Sequence, residues 1–309
     1  MNHVRAVTKR TLLAFYDDQM TQHAAALTYY GLMSLFPAVL LALSLLGLLG
    51  QYPGTYNAII GYLREVAPPS VLGPLDSSLR AALSSRGTAT TTLFIGVAVA
   101  LYGTTGALEA TRRAMNVVLE ARGGRSFLRR KAVDIASTFV LMALVLVSLV
   151  LVFIGGGFAS DLLGFIGLGP EAGEIWDTAR WPGALAVAML VFGFIYYVTP
   201  DVRQRSFRAV LPGATLGVLL WLAVSIGFSE YVSAIDGIGA IYGTFTGAIL
   251  LVAWIWLTNV ALLFGAELNA EIERERELHE GVALEETLNL PTRGGGGSGE
   301  ARQEGAASA

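Results

Sequence analysis

The sequence predicts an all-α, polytopic membrane protein with six transmembrane helices, both termini cytoplasmic, short extracytoplasmic amphipathic helices and a disordered C-terminal tail. Three observations predict it. The 309 residues are 54% hydrophobic and only 15% charged, a balance outside that of ordinary soluble domains. The run Ile241 to Ala266 carries no formal charge over 26 residues, which at 1.5 Å per helical residue exceeds the ~30 Å hydrocarbon core of a bilayer. Five further apolar runs alternate with charged connections, and lysine and arginine fall in every second connection.

The N-terminal segment, residues 1–20, lacks an apolar core followed by a small-residue cleavage site, so no removable signal is expected. Residues 4–16 form a short helix with Arg5, Lys9 and Arg10 on one side and Val4, Leu12, Phe15 and Tyr16 supplying apolar surface, suited to the headgroup layer. The transmembrane domain occupies 21–275. Its first span, about 24–49, contains Pro37, whose missing N–H kinks a helix that packed neighbours can still hold. Residues 50–90 mix polar and apolar positions around Pro68-Pro69, and two amphipathic pieces there suit an interfacial cap.

The second span, about 91–108, continues helically into EATRRAMN, and the third, about 133–158, follows the basic ARGGRSFLRRK. The fourth, about 181–198, follows an acidic connection. The fifth, about 209–231, follows PDVRQRSFR, and the sixth covers 241–268. With the N-terminus inside, all but Arg64, Arg80, Arg86 and Arg180 of the 21 basic residues lie on the cytoplasmic side, as the retention of positive charge demands. Residues 276–309 form an acidic, then Gly/Ser-rich, disordered cytoplasmic tail, with EIERERELHE first extending the sixth helix into water by two or three turns.

Glu109, Arg112, Arg113 and Asn116 stand at helical offsets of 0, 3, 4 and 7, hence on one side of the second helix. One reading is a helix end that reaches the headgroups. The other is a solute or lipid-headgroup site in which two guanidinium forks take a phosphate or carboxylate. Asp134 completes this network or caps its helix. Glu267 follows the uncharged run among Gly265, Ala266, Asn269 and Ala270, so a neighbouring helix comes close and the carboxylate faces protein. A pair with an arginine of the second span or of PDVRQRSFR is the first expectation, and a proton or cation relay the sharper one. Glu267 and Asn269 join the candidate site, while Tyr29, Tyr30 and Tyr242 are candidate intramembrane polar positions. Gly213/Gly217 and Gly243/Gly247 each form GxxxG and each admits a different neighbouring helix.

Catalytic and metal-binding residues are not expected. The chain has no cysteine, and His3, His23 and His279 lack metal-ligand spacing. GxSxG, GxxxxGK[ST] and a strand-borne GxGxxG are missing, and no cofactor is implied. The basic loops suit anionic lipid headgroups, and no nucleic-acid partner is expected.

The stretches AAALTYYGLMSLFP (24–37), ALEATRRAMN (107–116) and LPGATLGVLLWLAVSIGFSEYV (211–232), with the closing IYG and GAELNA, resemble the YihY/BrkB family of bacterial inner-membrane proteins over about residues 18–270. The resemblance implies six transmembrane helices with both ends cytoplasmic in a bacterial inner membrane. It implies no mechanism: some members are historically labelled ribonuclease BN, others virulence factor or transporter. The expected function is transporter-like handling of an amphipathic or anionic solute or lipid. The alternative is a non-transporting envelope assembly or scaffold protein, with a membrane-associated ribonuclease third. A fluorescent protein fused after Ala309 is expected to mature in the cytoplasm, and an alkaline phosphatase at the same place to stay inactive; the reverse pattern overturns the topology.

Overall fold

The computed structural model describes residues 2–49, 105–121, 124–153, 171–234, 246–281, 288 and 293. The chain runs through α1 (Asn2–Asp17), α2 (Met20–Leu49), α3 (105–118), α4 (Phe127–Phe153), α5 (Glu171–Val198), a 3-10 turn (Phe207–Val210), α6 (Leu211–Ala234) and α7 (Thr246–His279). The described elements are all helical, as composition and periodicity predict. Four stretches are long and apolar enough to cross a membrane: Phe127–Ser148, Gly173–Val198, Phe207–Ala234 and Thr246–His279. The expected cap at 50–90, most of the second span and Tyr242 lie outside the described residues.

Several boundaries move outward from the apolar runs. The helix of the fourth span begins at Glu171, ten residues before Trp181, because the acidic connection has enough helix-forming residues to extend it. Pro182 sits inside, near the start of the apolar run. The sixth span continues without a break to His279.

α2, α7, α6, α5 and α4 pack successively against one another. α3 completes the circuit, with Gly106 against the Tyr30 ring of α2 and Arg112 joined to Asp134 of α4. α1 lies against α7, where the Phe15 and Phe264 rings stand 5.5 Å apart. The order follows from side-chain size. Gly213 of α6 and Gly265 of α7 present no Cβ, so their backbones meet: a Cβ on either one would collide with the carbonyl oxygen of the other. Gly217 receives Phe192 and the Tyr196 hydroxyl of α5 in the same way. The Gly213/Gly217 motif therefore admits two neighbours, whereas a Cβ added to Gly247 would meet nothing within 4 Å.

Burial is uneven along the helices. In α7 the buried positions run from Ala261 to Glu277, and in α6 they are Gly213, Ala214, Gly217 and Val218. In α4, Asp134, Ser137 and Thr138 are buried, whereas Phe139, Val140, Met142, Val145, Leu146 and Val147 are exposed. One apolar cluster joins Met20, Ala24 and Leu27 to Ala114, Met115 and Val118, and to Tyr196, Ala214, Leu263 and Ala266. The helices are thus sealed at the end that carries the charged connections.

Polar bonds reinforce the α2–α7 seam. Asn259 donates to the Thr28 hydroxyl at 3.1 Å, and the Trp256 indole to the Thr21 carbonyl at 3.3 Å. Gly265→Ala is expected to destabilise the detergent-solubilised protein by at least about 2 kcal/mol through overpacking. Gly227→Ala, where a Cβ meets nothing within 4 Å, serves as the comparison in the same thermal unfolding measurement and should be near neutral.

Candidate functional site

The charged end is organised around Asp201, which follows α5 in the connection to α6. Its carboxylate accepts from the Asn116 side-chain N–H at 3.0 Å, and its backbone N–H donates to the Asn116 side-chain oxygen Oδ1 at 2.9 Å. The Arg125 guanidinium lies 3.7 Å from one carboxylate oxygen and Arg112 Nε lies 4.0 Å from the other. Arg112 also pairs with Asp134 at 2.7 Å. These four charged side chains are at most 5% exposed, so each ion depends on its partners rather than on water. Gly124 makes room for Asp201: a Cβ there would stand 3.0 Å from the carboxylate.

Arg125 does a second job. It donates to the carbonyls of Val198 at 2.9 Å, Pro200 at 3.0 Å and Thr199 at 3.4 Å, groups that the end of α5 leaves without helical partners. Burial, together with the nearby Arg293, pushes its pKa down to about 10, so it remains a cation at neutral pH.

The four residues expected on one helical side divide into two pairs. Arg112 and Asn116 enter the buried network, whereas Glu109 bonds Arg113 at 2.8 Å with Lys131 3.8 Å away, on the exposed side. The pairs are each four residues apart but offset by three, a rotation of roughly 60° around the helix. Asp134 completes the network from within α4. Asn269 is occupied elsewhere, accepting from the Gly213 N–H at 2.7 Å and donating to the Val210 carbonyl at 3.0 Å. Tyr29 and Tyr30 stack edge to face, 5.3 Å between centroids, and are both exposed.

Glu267 is 1% exposed and its Oε1 is buried with no hydrogen-bond partner. The expected arginine partner from the second span or from PDVRQRSFR does not reach it: among the described residues no ion pair includes it. Arg112, Arg113 and Arg205 of those segments are committed to Asp134, Asp201, Glu109, Glu273 and Glu280.

The extension of α7 is not simply solvated. Glu271, Glu273 and Glu277 are buried. Arg10 of α1 bonds Glu271 at 2.9 Å and also bonds Glu275, Arg205 bonds Glu273 at 2.7 Å and Glu280 at 2.6 Å, and Arg274 bonds Glu120 at 2.6 Å. Part of the tail expected to be disordered is also docked. Leu288 is buried, with its N–H donating to Glu120 at 3.2 Å. Arg293 donates to the carbonyls of Val202 at 2.9 Å and Tyr197 at 2.7 Å, and its backbone N–H to that of Asp201 at 2.7 Å. Burial lowers the Arg293 pKa.

Asp201, Arg125, Glu120 and Arg293 escape a sequence reading. The one signal for Asp201 is its standing as a lone acid in the basic TPDVRQRSFR. Among the described residues no group of three or more His, Asp or Glu is placed to hold a metal.

The chain matches the family model described as virulence factor BrkB over residues 11–287. It is 30% identical over 258 residues to the putative ribonuclease-like protein YfkH of Bacillus subtilis, covering 82% of this chain and 90% of that one. It is 27% identical over 264 residues to a UPF0761 membrane protein of Pseudoalteromonas translucida, covering 84% and 83%. A UPF0761 membrane protein of Pseudomonas aeruginosa is 26% identical over 265 residues; this covers 85% of this chain and 61% of the longer relative. No solved structure matches.

Asp201→Ala should cost about 3 kcal/mol, since it leaves the buried Arg125 without a carboxylate and the Asn116 amide without its acceptor while Arg112 keeps Asp134, read as a loss of thermal stability in detergent; Arg113→Ala, on the exposed pair, should cost under about 1 kcal/mol. The Arg113 hydrogen bond holds the Glu109 carboxyl below its usual range. This pair therefore contributes above the ordinary glutamate range, and its contribution fades as pH falls through the lowered value. In a pH-stability series, Glu109→Gln should remove that acid-side component and leave the neutral-to-alkaline limb parallel to wild type.

Proposed function

The chain belongs to the virulence factor BrkB (YihY) family and is integral to a membrane, and from that premise we propose that it moves or shields an amphipathic or anionic solute or lipid without catalysing a reaction. Its setting is the bacterial inner membrane, with both termini cytoplasmic and six crossings. The carrying observation is the uneven burial. The end holding the Asp201 network and the apolar cluster is closed, whereas among the described residues α4 beyond Thr138 and α6 beyond Val218 have no buried side chain.

Such a shape suits a bundle that admits a guest from one leaflet while its other end is sealed. The seal is made of ions whose partners lie on different helices, so it closes and opens by exchange of discrete pairs rather than by gradual deformation. Arg112, Asn116, Glu267 and Asn269 belong to that seal. Glu109 and Arg113, with Lys131 beside them, form the exposed rim that meets anionic headgroups, near Tyr29 and Tyr30 on α2. The ribonuclease-like name of the Bacillus relative does not alter this reading, which assigns no hydrolytic residues.

The test is reconstitution of the purified chain into liposomes containing a fluorescent anionic phospholipid and, separately, an entrapped organic anion. Protein-dependent movement of either probe is expected, together with altered rates in Asp201→Asn, which weakens the seal while keeping its shape. If neither probe moves faster than in empty liposomes, and RNA is instead cut by rigorously purified protein, the proposal is overturned.

A further inference from the structure

Among the buried charged groups of the sealed end, Glu267 differs from those whose partners have been named. Arg112, Arg125, Asp134 and Asp201 pair with one another, and Glu271 and Glu273 each meet an arginine. Glu267 is as buried as these, and its Oε1 has no donor. A carboxylate without a cation or donors in a membrane protein's interior marks a site that something else occupies.

Its surroundings are defined by helical spacing. Trp256, Leu263, Phe264, Glu271 and Arg274 lie at −11, −4, −3, +4 and +7 from Glu267, so they share its side of α7. That side faces α1 and α2: Trp256 bonds Thr21, Phe264 meets Phe15, and Glu271 meets Arg10. The charged groups facing Glu267 are Asp18 at the α1–α2 junction, Glu271 and Arg274. Glu271 is held by Arg10, and Arg274 by Glu120. From α5, the Tyr196 hydroxyl is spent on the Leu262 carbonyl at 2.5 Å. Asp18 is only partly buried, so water reaches it, and burial with Glu120 nearby raises its carboxyl above the usual range.

We propose that Glu267 is a proton-binding site in the seam between α7 and the α1–α2 junction, exchanging its proton with the Asp18 carboxylate, and that loss of this proton opens the seam. The step is a single proton transfer. The Glu267 O–H bond breaks, an O–H bond forms on Asp18, and the negative charge left on Glu267 stands beside Glu271 in a buried seam whose facing cation, Arg274, is already paired with Glu120 and Glu271. Repulsion and the demand for hydration then favour parting α7 from α1 and α2. The inference deepens the transport reading by naming a coupling ion, and it rests on that reading only for its purpose.

The test uses the full chain in lipid and needs no transported substrate. Difference infrared spectroscopy of wild type should show the carbonyl stretch of a protonated carboxylic acid that titrates with pH and is lost in Glu267→Gln. The naturally cysteine-free chain accepts nitroxide labels at Tyr16→Cys and His279→Cys, both exposed. Between about pH 5 and pH 9 the wild-type label distance should lengthen with rising pH, while Glu267→Gln should hold the short distance throughout and Asp18→Asn should slow the change. An acid band unaffected by Glu267→Gln, or a distance equally pH-dependent in that variant, overturns the proposal. Should Glu267→Gln fail to fold, a wild-type spectrum without any titrating acid band overturns it alone. A chain that moves no probe in liposomes yet shows these changes leaves the proton site standing without the transport reading.

Discussion

A carboxylate that belongs to no helix holds the closed end together. Asp201 is reached by Asn116 from α3, by Arg125 from the α3–α4 connection and by Arg112, which also ties α4 through Asp134. Because Arg125 simultaneously caps the end of α5, the position of three helices depends on a few buried ions. In a medium where apolar helices gain little from meeting one another, such polar ties and close backbone contacts decide which neighbours are chosen.

The second determinant is steric. Gly213 and Gly265 let α6 approach α7 to backbone distance, and Gly217 lets the Phe192 and Tyr196 side chains of α5 seat against the α6 backbone. Asn269 uses that closeness to bond the start of α6, and Tyr196 to bond α7. The buried ion pairs and the closest glycine contacts occupy the same end of the bundle, and among the described residues the far ends of α4 and α6 keep only scattered ties, Arg180 to the Val152 carbonyl, Gly183 against Leu151 and Trp254 to the Ser225 hydroxyl. The asymmetry on which the functional proposal rests is therefore a consequence of where two kinds of residue were placed along otherwise similar apolar rods.

The candidate site looked different once folded. Shared helical spacing grouped Glu109, Arg112, Arg113 and Asn116, but a rotation within that side sends Arg112 and Asn116 inward and leaves Glu109 and Arg113 outside. The glutamates after Ala270 read as a solvated extension, yet α1 and Arg205 of the α5–α6 connection cover them. Arg293 and Leu288 sit in a stretch whose composition argues for disorder, and local order comes from carbonyl acceptors and a carboxylate supplied by distant segments. None of these partners is near in sequence, so no local pattern reveals them.

What the sequence by itself determined is the membrane character and the helical nature of the described segments, because both follow from the length and polarity of local runs set against bilayer thickness and the need to satisfy every backbone group within a span. It also marked Gly213 and Glu267 as places of close approach, since small residues and a lone intramembrane acid are legible one helix at a time. Only the tertiary structure decided which carboxylates found cations. Pairing in a buried site depends on which side chains arrive together from elements tens of residues apart, and that is why Asp201 became the centre of a network while among the described residues Glu267 Oε1 was left without a partner.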